Sequence, residues 1–244
     1  MYSKRIIYFL IIISYMILTN SMAKKIPDTF VELSVHIPTI NLDIRYFTTD
    51  NFIGARIDGY KSPRAFLSLQ GADALRNVQS ELAIFGLGLK VYDAYRPQQA
   101  VDHFMRWAED PNDIKMKLKY YPEMDKKSLF REGYLIDKSS HSRGSAVDVS
   151  IVSLHKTNPI ELDMGTDWDF FGPDSGPQSF AVTPQQRANR MLLYHLMKKH
   201  GFKPHEKEWW HFTLENEPYP DQYCLLYTSP SPRDQRGSPL PSYG

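Results

Sequence analysis

Ser139-Ser140-His141-Ser142-Arg143-Gly144-Ser145-Ala146-Val147-Asp148 is the stretch on which the reading of this 244-residue chain turns. His141 follows two serines and precedes a glycine, which predicts a turn. Ser145 to Val152 reads as a strand carrying Asp148. Gly144, Ser145 and Ala146 are small enough to let backbone pack close to an ion. Sixty residues after Asp148 comes Glu208-Trp209-Trp210-His211. The two strings supply two imidazoles, one liganding carboxylate and one spare carboxylate. That is the inventory of a catalytic zinc site: three protein ligands, an open position for water, and a base beside it. Glu208 and His211 are three apart, so a regular strand would point them to opposite faces. A bend or a helical turn must bring both to the site, and the sequence leaves open which. Trp209 and Trp210 either wall the site or pack in the core.

Outward from these strings, Gly71 to Phe85 places Leu75, Val78, Leu82 and Phe85 on one helical stripe, and Gly86-Leu87-Gly88 breaks it. Leu89-Lys90-Val91-Tyr92-Asp93-Ala94 alternates as a strand that delivers Tyr95 and Arg96 to its end. Pro97 suits the first turn of a helix running to Ala108, with Val101, Phe104, Met105 and Ala108 inward. Thr183-Pro184-Gln185-Gln186 opens another helix with a capping box. Gly201 stops it, and Met191, Tyr194 and Met197 form its inner face. Phe170 to Val182 holds Gly and Pro and reads as a loop. Short helices and strands alternate irregularly. The expected fold is α+β: a single compact domain with a small mixed or antiparallel sheet flanked by helices and the zinc site at the sheet. About 200 residues suffice for one sizeable core.

The remaining histidines carry no ligand pattern. His195 and His200 are five apart on the last helix and do not share a face. His205 follows Pro204 and reads as surface, and His36, His103 and His155 match no metal spacing. A formal net charge of +1 offers no basic surplus for nucleic acid.

The chain opens with Met1-Tyr2-Ser3-Lys4-Arg5, runs apolar from Ile6 to Leu18, and reaches Ser21-Met22-Ala23. A basic start, a short apolar run and a small-x-small site predict a signal peptide over 1–23, cleaved after Ala23. The run is short of the roughly 20 apolar residues of a spanning helix, so an uncleaved anchor is the alternative. The expected location is periplasmic or otherwise exported, with no stable membrane anchor after cleavage. From Cys224 the chain turns into a Pro/Ser/Gly-rich string that resembles the translation of a transposase adapter used in sequencing libraries. Residues 224–244 are read as an assembly artefact, the alternative being a disordered tail. Cys224 is the only cysteine, so no intramolecular disulfide is expected.

These strings resemble the zinc D-alanyl-D-alanine peptidases, most closely the D-alanyl-D-alanine dipeptidase family known from vancomycin resistance. The likeness covers Asp43 to Tyr223. It includes Leu42-Asp43-Ile44-Arg45-Tyr46, Asp50-Asn51-Phe52-Ile53-Gly54, Asp93-Ala94-Tyr95-Arg96-Pro97, Met164-Gly165-Thr166-Asp167-Trp168-Asp169-Phe170 and Glu217-Pro218-Tyr219-Pro220. The metal motif is shared with related carboxypeptidases; the Asp-Ala-Tyr-Arg-Pro and Asp-Asn-Phe-x-Gly segments narrow the match to the dipeptidases. The resemblance implies that His141, Asp148 and His211 hold one Zn²⁺ per chain and that Glu208 is the general base. It implies that Arg96 stabilises the oxyanion, a structural pairing with Asp93 being its alternative. Asp169 and Tyr46 fall on the family's amine-binding positions, and Ser139 is the expected hydrogen-bond donor to substrate. Residues 24–223 are thus expected to form a D-Ala-D-Ala dipeptidase domain.

An exported enzyme of this kind would salvage D-alanine from wall turnover rather than act on a cytoplasmic precursor pool. Two other readings use the same site. A D,D-carboxypeptidase would trim peptidoglycan stem peptides. A non-catalytic zinc domain would only bind wall peptides, and retention of Glu208 and Arg96 argues against it.

Overall fold

The β-branched run between Ala146 and Ser153 makes an eight-residue strand whose first seven residues are all buried. A strand covered on both faces is central, and the sheet is built outward from it. The computed structural model describes residues 29–154 and 159–223. The expected signal peptide, His155 and the tail from Cys224 lie outside them. In chain order the elements are β1 (Phe30–Glu32), α1 (Leu33–His36), β2 (Asn41–Leu42), β3 (Phe66–Ser68), α2 (Leu69–Ala83), β4 (Leu87–Asp93), α3 (Gln98–Glu109), α4 (Lys117–Tyr120), α5 (Lys126–Arg131), β5 (Ala146–Ser153), β6 (Ile160–Glu161), α6 (Pro184–Lys199), β7 (Phe202–Pro204) and β8 (His211–Leu214).

The main sheet has the order β2-β4-β5-β8-β7, with β6 also paired to β5. β2 runs parallel to β4, and the other pairings are antiparallel. β1 and β3 form a separate antiparallel pair. α2 and α6 pack on each other and on this sheet. The architecture is the α+β domain with a small mixed sheet that the residue pattern leads one to expect. Among the described residues, no helix is long and apolar enough to cross a membrane.

Local chemistry accounts for the helix ends. Ser68 caps α2 by accepting from the Gly71 amide. Thr183 and Gln186 form the full capping box of α6, and Gly201, at φ +85°, follows its C-terminus. Several expectations need correction. Phe85 lies beyond the end of α2 and is exposed, while Leu75, Val78 and Leu82 are buried as expected. β4 already starts at Leu87, and Pro97 caps α3 rather than sitting in its first turn. On α3, Trp107 is buried where Met105 and Ala108 are only half-buried. The inner face of α6 is Arg190, Leu193 and Met197, one residue off the apolar stripe containing Met191 and Tyr194.

Register does the positioning. On β5, Asp148 lies opposite His211 of β8 on one side and Asp93 of β4 on the other. The ladder between β4 and β5 shifts between Val91 and Asp93, a bulge at the end of β4 that leads into Arg96. Directly opposed residues on neighbouring strands sit about 4.5–5.5 Å apart at Cβ. One β5 carboxylate therefore has an imidazole across one ladder and a carboxylate across the other.

Candidate active site

His141 rides on a 3-10 turn, Ser140–Arg143, that enters β5. Ser139 caps this turn, its Oγ accepting from the His141 amide at 3.2 Å. Gly144 ends it at φ +69°, and a Cβ there would meet Phe30 Cε1 at 2.1 Å, so only glycine fits. Three backbone bonds tether the turn: Ser68 N donates to Gly144 O at 2.9 Å, Arg96 N to His141 O at 3.3 Å, and Leu214 N to Ser145 O at 2.8 Å.

The turn, β5 and β8 bring His141, Asp148 and His211 together. His141 Nε2 is 3.1 Å from His211 Nδ1 and 3.2 Å from Asp148 Oδ1, and His211 Nδ1 is 3.1 Å from the same oxygen. A tetrahedral ion with bonds of about 2.0 Å has ligand–ligand edges of about 3.3 Å, so this triangle fits one small divalent cation. The opposite nitrogens are engaged elsewhere. His141 Nδ1 donates to Ala94 O at 2.7 Å, and His211 Nε2 lies 3.2 Å from Thr213 Oγ1. Those contacts leave the converging nitrogens as donors to an ion. Asp148 Oδ2 accepts from Trp168 Nε1 at 3.3 Å, which leaves Oδ1 toward the triangle. Burial would raise the Asp148 carboxyl, but His141 and His211 outweigh that and hold it well below the ordinary range. Two imidazoles and one carboxylate suit zinc.

Glu208 reaches the same point through a turn. His211 N lies 3.4 Å from Glu208 O, so the bend left open by the sequence is a tight turn at the start of β8. Glu208 Oε2 is 3.9 Å from His211 Nδ1, beside the triangle of His141, Asp148 and His211. Burial, then the negative charges of Asp148 and Asp169, push its carboxyl well above the usual range. A divalent cation beside it acts in the opposite sense and favours the ionised form a base requires. Trp210 lines the cavity, whereas Trp209 packs in the core with its Nε1 on Thr166 Oγ1 at 2.9 Å.

Arg96 makes the structural pairing with Asp93 and also faces the cavity. Its Nε donates to the buried Asp93 at 2.9 Å, and an Nη lies 3.6 Å from Asp148 Oδ2. Asp93 in turn accepts from Tyr60 Oη at 2.6 Å. The guanidinium is thus fixed from one edge, while the residue lines the cavity, its Cζ 5.1 Å from the centre of the Tyr46 ring. Burial disfavours its charge, but Tyr46, Asp93 and Asp148 more than compensate and keep it protonated.

Asp169 and Tyr46, 123 residues apart, meet directly: Tyr46 Oη donates to Asp169 Oδ2 at 2.6 Å. Both are buried and both line the cavity. Asp169 has φ +60°, the one positive-φ non-glycine among the described residues, a strained backbone that aims its carboxylate at Tyr46. Burial, with Asp148 adding to it, raises the Asp169 carboxyl well above its usual range; the Tyr46 bond opposes the shift.

The cavity over these groups holds about 240 Å³, below the roughly 300–1,000 Å³ of drug-sized ligand sites. The sequence reading missed part of its wall. Tyr134, Leu135, Ile136 and Lys138 line it from the segment after α5, just upstream of Ser139. It also missed His205, read as surface. His205 lines the cavity, its ring 5.4 Å from that of His211 and its Nδ1 3.9 Å from Glu208 Oε2. Burial and then the neighbouring His211 push it down to about 4, so it is neutral. The signal was the β7–β8 hairpin, which sets His205 opposite His211, with His205 N donating to His211 O at 3.0 Å. His36, His103 and His200 lie against Asp73, Asp58 and Glu81, away from the cavity.

A family model described as D-ala-D-ala dipeptidase (Peptidase_M15) matches residues 27–229, wider at both ends than the stretch from Asp43 to Tyr223. The D-alanyl-D-alanine dipeptidase of Enterococcus faecalis is 38% identical over 194 residues, covering 80% of this chain and 95% of that one. That of Streptomyces coelicolor is 38% identical over 184 residues, covering 75% and 90%. The crystal structure of a vancomycin-resistance D,D-pentapeptidase with Zn(II) aligns over 66% of this chain and 82% of that one, at 16% identity and a TM-score of 0.39, too slight a likeness to bear on the site.

Proposed function

This chain belongs to the D-alanyl-D-alanine dipeptidase family, and from that premise we propose that it is an exported zinc dipeptidase that splits D-Ala-D-Ala into two D-alanines during wall turnover. The observation that carries the reading is the convergence of four groups in one small cavity: the His141–Asp148–His211 triangle, Glu208, Arg96 and the Tyr46–Asp169 pair. Export rests on the basic, then apolar, amino-terminal sequence.

The residues divide the work by charge. His141, Asp148 and His211 would hold the ion. Bound there, zinc supplies Lewis acidity, polarising a carbonyl and lowering the pKa of water. Glu208, as carboxylate, takes a proton from the attacking water at Oε2 and returns it to the leaving nitrogen. Arg96, held by Asp93, presents its free edge to the negative charge that develops on the carbonyl oxygen. The Asp169 carboxylate, held by Tyr46, is the acceptor for the substrate's ammonium. Ser139 uses its oxygen to cap the turn, which leaves its O–H to donate to substrate. An amine-binding carboxylate in so small a cavity favours a free dipeptide over a blocked, longer chain.

The test is release of D-alanine from D-Ala-D-Ala and from N-acetyl-D-Ala-D-Ala by the zinc-loaded protein. Release from the free dipeptide alone is expected. Comparable release from the blocked substrate would move the chain to the carboxypeptidase reading, and release from neither would leave a binding domain.

A further inference from the structure

One matching segment has no place in the chemistry above: Glu217-Pro218-Tyr219-Pro220. It lies against the turn that carries His141. Arg143, two residues after His141, donates from Nε to Glu217 Oε2 at 2.6 Å and from Nη2 to Glu217 Oε1 at 2.7 Å. Its Nη1 donates to Tyr223 Oη at 3.1 Å, and its guanidinium sits 5.4 Å from the centre of that ring. Both partners of the ion pair are 15% exposed, well shielded from solvent. Tyr219 stacks on Phe30, with centroids 5.8 Å apart and planes within 12°. Phe30 in turn meets Tyr95 edge to face at 6.1 Å and presses on Gly144.

The segment therefore holds the metal turn at two points. The fork of Glu217 and Tyr223 grips Arg143. The Tyr219–Phe30 stack bears on Gly144 and on Tyr95, the residue before Arg96. A two-pronged carboxylate–guanidinium contact fixes orientation as well as distance, and Pro218 and Pro220 limit the backbone freedom of the strap. The backbone tethers of the turn bind Gly144, His141 and Ser145, but none of them restrains the Arg143 side chain.

We propose that residues 217–223 form a strap that sets the position of the His141 turn, with Glu217 and Arg143 as positioning residues for the metal site. The inference rests on the metal-site reading above and deepens it. Arg143 lines the cavity and residues 217–223 do not; the strap acts by limiting how far His141 can stray from Asp148 and His211. Ligands held slack bind an ion more weakly, and loss of supporting contacts typically costs about 10–100-fold in metal affinity.

The test uses the full chain, with Glu217→Gln and Arg143→Lys, each of which breaks the two-pronged pairing. Zinc dissociation constants are measured by chelator competition well below the melting temperature, alongside melting of the metal-free proteins. Both variants are expected to bind zinc about 10-fold more weakly, with kcat largely restored when zinc saturates. A zinc constant within twofold of the parent, with only the melting temperature lowered, would overturn the proposal: the strap would then hold the fold and not the site. Should either variant fail to fold, Tyr223→Phe removes only the 3.1 Å hydroxyl contact. It is expected to weaken zinc about 3-fold, and no change would count against the strap. Absence of zinc binding by the parent would instead sink the metal-site reading itself.

Discussion

Replacing Tyr46 by Phe removes one oxygen, the donor at 2.6 Å to the buried Asp169 carboxylate. The ring stays packed between Phe52, Phe104 and Trp168. A hydrogen bond to a charged acceptor contributes about 1.5–3 kcal/mol. Its loss raises the Asp169 carboxyl further, because the bond favours the charged form. Asp169 is already raised by burial and by the charge of Asp148, and the Tyr46 bond is what holds it down. The sign follows. With its folded pKa above its unfolded one, Asp169 costs the fold nothing while protonated, and that stability is lost as pH rises through the folded pKa. The variant shifts this window upward, so its melting temperature suffers least in acid. Activity behaves differently, because only the carboxylate pairs with a substrate ammonium. For zinc-saturated protein, kcat/KM on D-Ala-D-Ala is expected to fall about 10- to 150-fold, and the acid limb of its pH profile to move to higher pH. A profile that stays in place with kcat/KM within twofold of the parent would refute the amine-clamp assignment.

Glu208→Gln should lower kcat by about 10²–10⁴-fold while zinc still binds one per chain, as metal analysis and initial rates would show; a smaller loss would remove Glu208 as base. Trp168→Phe keeps the stack on Tyr92 at 5.3 Å but loses the 3.3 Å donation to Asp148 Oδ2. Zinc affinity, read by chelator competition, should fall about 10-fold. Gly144→Ala forces a side chain into φ +69° and onto Phe30. The cost of about 2–4 kcal/mol should lower the melting temperature by about 5–15 °C, and a fall under about 2 °C would show that the turn can relax. Arg190→Met should destabilise by about 3 kcal/mol in denaturant melts, since one buried and two half-buried carbonyls lose their donor; an unchanged midpoint would mean that water replaces the guanidinium.

The candidate metal cluster is legible in the sequence because each string is local and chemically specific. His141 and Asp148 stand seven apart on a turn and a strand, and Glu208 and His211 share one turn. The Tyr46–Asp169 pair is nameable only through resemblance, since nothing local ties Tyr46 to an aspartate 123 residues away. His205 was hidden for a related reason: its place follows from the hairpin register that sets it opposite His211, not from its neighbours.

Arg190 marks the deeper limit. Hydrophobic periodicity identifies a helix face by its apolar residues, and on α6 that rule passes over Arg190 beside Leu193 and Met197. The buried face instead carries a guanidinium that donates to Met164 O at 2.6 Å, Asp174 O at 2.7 Å and Gly176 O at 2.8 Å. Burial costs this side chain enough to depress it to about 10, a cost worth bearing only where other polar groups need a donor. Those groups are the carbonyls of the irregular segment 164–176, which cannot satisfy them in a ladder. That segment also carries Trp168 and, at φ +60°, Asp169. A loop that must hold a carboxylate at positive φ and an indole against Asp148 needs rigid support. A buried cation donating to three of its carbonyls supplies that rigidity, so the residue that breaks the helix pattern is the one that anchors the cavity-lining loop.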